Sequence, residues 1–224
     1  YTTTYVQRDV RQVLNVTDLE AFATLLGLAA GRTSQVINLS RLGADAGITH
    51  NTARSWLSVL ETGFIVHRLP AWHRNVVKQL TRSPKLHFLD SGLVCHLLGI
   101  RAPAELRNHP LRGAIFESWV VSEVLKARAH QGLDLQLRHF REQRGLEVDL
   151  VLESTKRVVL TECKSGATVA SDFFGGLERL AELMVQWGEE RTVRGRVVYG
   201  GEEPQGRTSG HVIPWKNVCD ADWS

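Results

Sequence analysis

Two apolar stretches joined by a polar turn constrain this chain more than any other feature: Leu146-Glu147-Val148-Asp149-Leu150-Val151-Leu152 and Val158-Val159-Leu160-Thr161-Glu162-Cys163-Lys164. Runs of β-branched and aliphatic residues bounded by turn residues read as strands, and Glu153-Ser154-Thr155-Lys156 pairs these two as a hairpin. Side chains alternate faces along a strand, so Glu162 and Lys164 project from one face roughly 7 Å apart, while Val159, Thr161 and Cys163 point the other way. The hairpin could bring Asp149 beside Glu162. Two carboxylates at a sheet edge suit magnesium, which takes one or two protein carboxylates and keeps several waters. A lysine two residues beyond Glu162 can orient or deprotonate an attacking water, or stabilise charge on a phosphate. The chemistry implied is metal-assisted phosphodiester hydrolysis.

A further acid lies upstream. Over residues 115–126, helical spacing places Glu117 at the centre of a stripe formed by Val120, Val121 and Val124, with Ser118, Ser122 and Lys126 on the polar face. A carboxyl group among valines is tolerable only when it is protonated, paired or close to a metal. Glu147 shares a face with Asp149 and reads either as a second metal contact or as an ordinary solvated acid.

A helix glutamate, a strand aspartate and a Glu-x-Lys on the next strand resemble the signature of the PD-(D/E)xK nuclease superfamily, matched here by Glu117, Asp149, Glu162 and Lys164. That resemblance implies that Glu117, Asp149 and Glu162 hold a divalent metal, magnesium, and that Lys164 assists the attacking water. Acids and a lysine also meet on ordinary hairpin surfaces, but the flanking elements favour the superfamily. A candidate strand Leu135-Gln136-Leu137-Arg138-His139-Phe140 precedes the hairpin. An amphipathic stretch from Ser171 follows, with Phe174, Leu177, Leu180, Ala181 and Met184, and then strands at 195–199 and 211–214. The order is helix, three strands, helix, strand.

With 224 residues, 43% of them hydrophobic, the chain has material for one large or two small domains. A net charge of +3 permits nucleic-acid binding without arguing for it, so any basic footprint is local. Cys95, Cys163 and Cys219 are far apart and form no Cys-x-x-Cys pair, which fits a reduced cytoplasmic setting. No stretch approaches the roughly 20 apolar residues of a membrane span, and no signal peptide is visible. The chain opens without methionine and reads as a fragment or a processed chain.

The first hundred residues are organised differently, as a helical region with a winged helix-turn-helix at about 34–80. Residues 38–46 read as a short helix, Gly47-Ile48-Thr49 as a tight turn, and 50–61 as a second helix with Ala53, Trp56, Leu57 and Leu60 on its apolar side. Gly63 stops it, and Phe64-Ile65-Val66-His67-Arg68-Leu69 has strand character. The exposed side of the second helix offers His50, Asn51, Arg54, Ser55 and Ser58 to base edges or phosphates. Arg68, His73, Arg74, Lys78, Arg82 and Lys85 follow and could track a phosphate backbone. Winged helices also dock proteins, so both kinds of partner stay open.

Resemblance reaches across almost the whole chain. Tyr5-Val6-Gln7-Arg8-Asp9-Val10, Ser83-Pro84-Lys85-Leu86-His87-Phe88-Leu89-Asp90-Ser91-Gly92-Leu93, His109-Pro110-Leu111-Arg112-Gly113-Ala114-Ile115-Phe116-Glu117, Cys163-Lys164-Ser165-Gly166 and Ser171-Asp172-Phe173-Phe174 are similar to a prokaryotic family of uncharacterised C-terminal domains. In that family the domain follows an AAA-type P-loop ATPase module, and the opening helix here resembles the link to it. No Gly-x-x-x-x-Gly-Lys-Ser/Thr loop occurs, so the chain carries no ATP site of that kind.

Other features read plainly. The nine histidines lack metal-ligand spacing, and Gly200-Gly201 followed by Glu202, Glu203 and Pro204 reads as a surface turn. Trp56, Trp119 and Trp187 fall on apolar helix faces, whereas Trp72 and Trp215 sit in loops where base stacking is open. Residues 93–98 read as an apolar helix bridging the halves, and 100–110 and 202–210 as linkers.

The expected architecture is therefore mixed α/β: a helical region with a winged helix-turn-helix over 1–100, then a PD-(D/E)xK nuclease-like domain with a central mixed sheet over 101–224. One function it suggests is magnesium-dependent DNA processing, placed by the winged helix and driven by an attached ATPase. The other is a catalytically silent scaffold that binds DNA or a protein partner and regulates that ATPase. No membrane partner is expected, and the oligomeric state stays open.

Overall fold

The computed structural model describes residues 18–75, 82–142, 145–207 and 210–223; the segment holding Tyr5 to Val10 and the candidate phosphate contact Lys78 lie outside the described residues. The chain is mixed α/β and packs as two units. Described residues up to Arg68 join Lys85–Ser118 in the first, and those of Leu69–Pro84 join Trp119–Ser224 in the second. Packing therefore does not follow a single cut in the sequence.

In the first unit, helix α1 (Leu19–Ala30) starts where the Asp18 side chain accepts from Ala21 N–H. Strand β1 (Gln35–Val36) precedes α2 (Leu39–Asp45), capped by Asn38, and α3 (His50–Thr62), capped by Thr49. Each cap satisfies a backbone N–H that a first turn leaves without an intrahelical acceptor. Gly47, at φ +70, makes the turn between α2 and α3 in a conformation that favours glycine. At Gly43 a Cβ would stand 3.0 Å from Ile48 O and 3.2 Å from Thr49 O, so α2 meets the start of α3 at a distance that excludes a side chain. Strands β2 (Val66–Leu69) and β3 (Lys85–Phe88) complete a three-stranded sheet of order β1-β3-β2. Phe22 packs edge-on against Trp56, with ring centroids 5.3 Å apart, in a core that includes Leu26, Leu57, Leu86 and Phe88. Helix α4 (Ser91–Leu97) joins this core through Leu93 and Val94. The stretch expected as a linker at 100–110 holds a further helix, α5 (Pro103–Asn108), with proline at its start, where no N–H is needed.

Polar side chains are buried in the same unit. Lys85 is 1% exposed and donates from Nζ to Glu117 Oε1 at 2.9 Å. Ser118 Oγ lies 2.8 Å from Thr33 Oγ1 and 3.1 Å from His87 Nδ1. The expected solvated face at Ser118 and Ser122 therefore does not form: both are buried, and Ser118 finds its partners on the chain around it.

Helix α6 (Arg112–His130) contributes to both units. The second unit continues with β4 (Leu137–Arg141), β5 (Glu147–Glu153), β6 (Arg157–Lys164), a 3-10 turn at Ser171–Phe174, α7 (Gly175–Gln186), β7 (Thr192–Tyr199), β8 (Gln205–Arg207) and β9 (Gly210–Pro214). They form a six-stranded sheet of order β4-β5-β6-β7-β9-β8. β4, β5 and β6 are antiparallel neighbours, and Ser154 N–H donating to Arg157 O at 2.9 Å closes the expected hairpin. β6 and β7 run parallel, which requires a crossover, and the 3-10 turn with α7 supplies it. α7 buries Leu177, Leu180 and Met184 with Val158, Leu160 and Val197 of the sheet. Val159 and Thr161 on the other face of β6 are buried too, which is why this strand reads as a nearly unbroken apolar run. The linker expected at 202–210 carries β8, held by antiparallel pairing with β9. No helix among the described residues is long and apolar enough to cross a membrane.

Gly27 and Gly43, both in helices of the first unit, have opposite expected responses. Gly43→Val should destabilise by about 1–3 kcal/mol through overpacking, whereas Gly27→Ala, whose Cβ meets open space, should stabilise by about 1 kcal/mol. Thermal unfolding of both variants checks this, and shifts of the same sign would contradict the packing. His67 gives a pH test. Its buried Nε2 has no hydrogen-bond partner among the described residues, and burial holds its pKa below the ordinary 6.5 against the opposing charge of Glu61. The unfolded chain binds the proton first as pH falls, so this contribution is complete above 6.5 and is lost below it. His67→Leu should lose less stability than wild type on acidification through that range, and an equal loss would refute the assignment.

Candidate active site

Sheet register builds the site. Leu150 faces Thr161 across β5 and β6, and Asp149 and Glu162 are the next residues beyond that pair. On the other side of β5 the register slips: Arg138 faces Val151 but Phe140 faces Val148, so β5 places one more residue than β4 in the same interval. The extra residue is a bulge at Asp149-Leu150, a device that re-aims side chains. It lets Val148 and Val151 share one core although strict alternation would put them on opposite faces. Asp149 is 7% exposed, and its Oδ2 accepts from Cys163 N–H at 2.9 Å. Glu162 Oε1 accepts from Lys164 Nζ at 2.7 Å, as two residues on one strand face allow. The Lys164 ammonium also stands 5.5 Å from the Phe173 ring centroid, a contact that local spacing does not reveal.

Burial pulls the Lys164 pKa down, but the hydrogen bond and charge of Glu162, with the charge of Asp149, outweigh it and hold the ammonium above its usual range. Lys164 is therefore a charged donor at neutral pH. Of the roles open to it, orienting water or stabilising phosphate charge fits that state, and deprotonating water does not.

Asp149 and Glu162 offer the carboxylate oxygens that magnesium takes, so the donor chemistry fits that ion. Among the described residues no three His, Cys, Asp or Glu side chains form a group able to hold a metal. Glu117, the third expected acid, lies in the first unit with its carboxylate on Lys85. The pairing required of an acid beside valines is thus supplied by an ammonium. Glu147 forms a cross-strand ion pair with Arg141 Nε at 3.5 Å.

Gly200 and Gly201 are not a simple surface turn. Gly200 N–H donates to Lys164 O at 2.9 Å and to Gly166 O at 3.0 Å. A Cβ on Gly200 would fall 2.5 Å from Ser165 O, and one on the buried Gly201 would collide with the Tyr199 ring. These glycines fix the end of β6 that carries Glu162 and Lys164. A Gly-Gly pair directly after a strand was the available signal, and it describes any turn equally well.

In the first unit, α3 presents Asn51, Arg54 and Ser55 to solvent, with His50 half-buried at its start. Arg68 is tied to Glu61, Nε to Oε2 at 2.7 Å and its backbone N–H to Oε1 at 3.1 Å. Arg74 and Arg82 belong to the second unit, Arg74 lying 5.7 Å over the Trp187 ring and Arg82 donating to Arg141 O at 2.9 Å. The basic run expected to track one phosphate backbone is thus divided between the units, and burial against Glu117 removes Lys85 from the surface.

Comparison with known proteins gives domains without assigned function. Residues 1–104 match a family model described as Domain of unknown function (DUF8612), and residues 112–218 match another, Domain of unknown function (DUF4143). The chain is 29% identical over 168 residues to an uncharacterised protein of Mycobacterium tuberculosis and, to the same extent, to one of Mycobacterium bovis. That stretch is 75% of this chain but 37% of each relative, so the chain spans little more than a third of the length of the curated relatives it matches. No solved structure matches. Both family descriptions and both relatives leave activity unassigned, and the resemblance to uncharacterised prokaryotic domains is met at that level.

Proposed function

We propose that the second unit processes phosphodiesters, with Asp149 and Glu162 as metal-holding acids and Lys164 as the donor that orients water or meets phosphate charge. The observation that carries this reading is the meeting of those side chains at the ends of β5 and β6, with Lys164 kept protonated by the acids. A magnesium ion held there would polarise a phosphoryl oxygen and acidify a bound water. Asp149 is oriented by Cys163 N–H, and Glu162 by Lys164. Their arrangement on a mixed sheet of order β4-β5-β6-β7 supports the PD-(D/E)xK reading.

The first unit is assigned the placing of DNA. Its succession α1-β1-α2-α3-β2-β3, with the Gly47 turn and the β1-β3-β2 sheet, supports a winged helix-turn-helix. Asn51 and Arg54 on the exposed side of α3 suit base edges and phosphates. The mycobacterial relatives extend well beyond the matching stretch, and that length is assigned to the P-loop ATPase that the family resemblance implies. One observation favours the second reading, a silent scaffold that binds DNA or a protein and regulates the ATPase: Glu117, the third acid of the nuclease signature, is neutralised by buried Lys85.

Magnesium or manganese calorimetry and plasmid nicking on the same samples separate the two. Wild type is expected to bind the ion and nick. Asp149→Ala with Glu162→Ala should lose binding, and Lys164→Ala should nick about a hundredfold more slowly, the loss typical of one transition-state donor. Nicking at wild-type rate by these variants would sink the catalytic reading, and a wild type that neither binds nor nicks would favour the scaffold. Duplex-DNA titration tests the first unit: Arg54→Ala should weaken binding and lower its salt slope by about one. Unchanged affinity and slope would remove α3 from the DNA interface.

A further inference from the structure

Two adjoining cavities of about 290 and 420 Å³ in the second unit share Trp72, His73, Arg74 and Trp187 as walls. Trp72 and Trp187 are stacked, with centroids 6.1 Å apart and planes 18° apart, and Phe140 packs 6.0 Å from Trp72 in the smaller cavity. Trp72 is 5% exposed, and its buried Nε1–H has no hydrogen-bond partner among the described residues. Such a donor costs free energy until an acceptor reaches it.

The cations around these walls are of two kinds. Arg138 and Arg191 line the larger cavity but are committed to acids: Arg138 to Glu153 at 3.1 Å, Arg191 to Glu153 at 2.8 Å and to Glu189 at 2.7 Å. Arg191 is itself strong enough a partner to pull the Glu189 carboxyl down to about 2. Arg74 has no carboxylate partner among the described residues and lies over the Trp187 ring, and Arg82 donates to the Arg141 carbonyl. Glu142 is the acid beside them.

We propose that these cavities bind a nucleoside phosphate unit, its base against the Trp72 and Trp187 indoles and its phosphate on Arg74 and Arg82. Aromatic faces stack on any base, and a guanidinium without an acid partner offers paired donors to phosphate oxygens. An apolar ligand has no use for unpaired arginines, and a small anion has none for stacked indoles. The unit can come from a free mononucleotide or from a single strand, and the chemistry recognised is the same. A strand source rests on the nucleic-acid reading of this unit; the site itself does not require that Asp149, Glu162 and Lys164 cleave anything, so the two readings fail separately.

The test titrates the whole chain with adenosine monophosphate and with a labelled short oligothymidylate, read by tryptophan fluorescence and by anisotropy. Saturable quenching is expected in wild type, with affinity about tenfold or more weaker in Arg74→Glu, which removes a charge-assisted contact. Trp187→Leu should lose most of the quenching, and Arg74→Gln should give an intermediate loss at an unchanged thermal midpoint. Tighter binding of the oligonucleotide assigns the strand source, and tighter binding of the mononucleotide assigns the free one. Binding of neither probe, or equal affinity in wild type, Arg74→Glu and Trp187→Leu, would overturn the proposal.

Discussion

The second unit depends on the register of β5 against β6. Side chains repeat with period two, so a slip of one residue would send Val158 and Leu160 away from α7 and carry Glu162 and Lys164 with them. Burial of both faces of β6 resists that slip, because Val159 and Thr161 would have to exchange places with Val158 and Leu160. Parallel pairing to β7 continues through Lys164 and Tyr199, so the register is held along the whole strand to its functional end. The β5 bulge then solves what alternation cannot. Val148 and Val151 both reach the α7 core, while Asp149 between them turns its carboxylate to the backbone of β6.

A different constraint governs the first unit. Transferring a lysine to a site 1% exposed carries a desolvation penalty of several kcal/mol unless its charge is met, and Glu117 meets it at 2.9 Å. Removing either partner would take away this charge-assisted bond, which ties β3 to the start of α6. Glu117 is thus engaged by a buried ammonium, whereas Asp149 accepts from a backbone N–H and Glu162 from a half-exposed lysine.

The elements legible in the sequence were those whose signal is local. The hairpin declared itself through β-branched runs and a polar turn, and α3 through its apolar spacing after the Gly47 turn. Asp149, Glu162 and Lys164 could be grouped because one hairpin carries all three. The bulge could not be read, since it exists in the pairing of β5 with two neighbours at once. Nor could β8, because Gln205-Gly206-Arg207 has little intrinsic strand preference and becomes a strand by pairing with β9. Burial of Ser118 and Lys85 depends on partners 85 and 32 residues distant, for which local spacing holds no sign. The tightness around Gly200 and Gly201 likewise depends on where the loop after Lys164 returns.

Charge links the proposed chemistry to the proposed ion. Asp149 and Glu162 bring two negative charges to the strand ends and Lys164 one positive, already engaged by Glu162. A phosphodiester approaching that cluster carries a further negative charge, which the two carboxylates repel. Lys164 cannot reverse this, because the same acids that keep it protonated absorb its field. In the proposed chemistry, a divalent ion on the two carboxylates would add positive charge for the phosphate to meet. Arg74 and Arg82, beside the tryptophan pair, have no carboxylate partner among the described residues, so the proposed phosphate contacts and the acids of the candidate active site fall on different parts of the same unit.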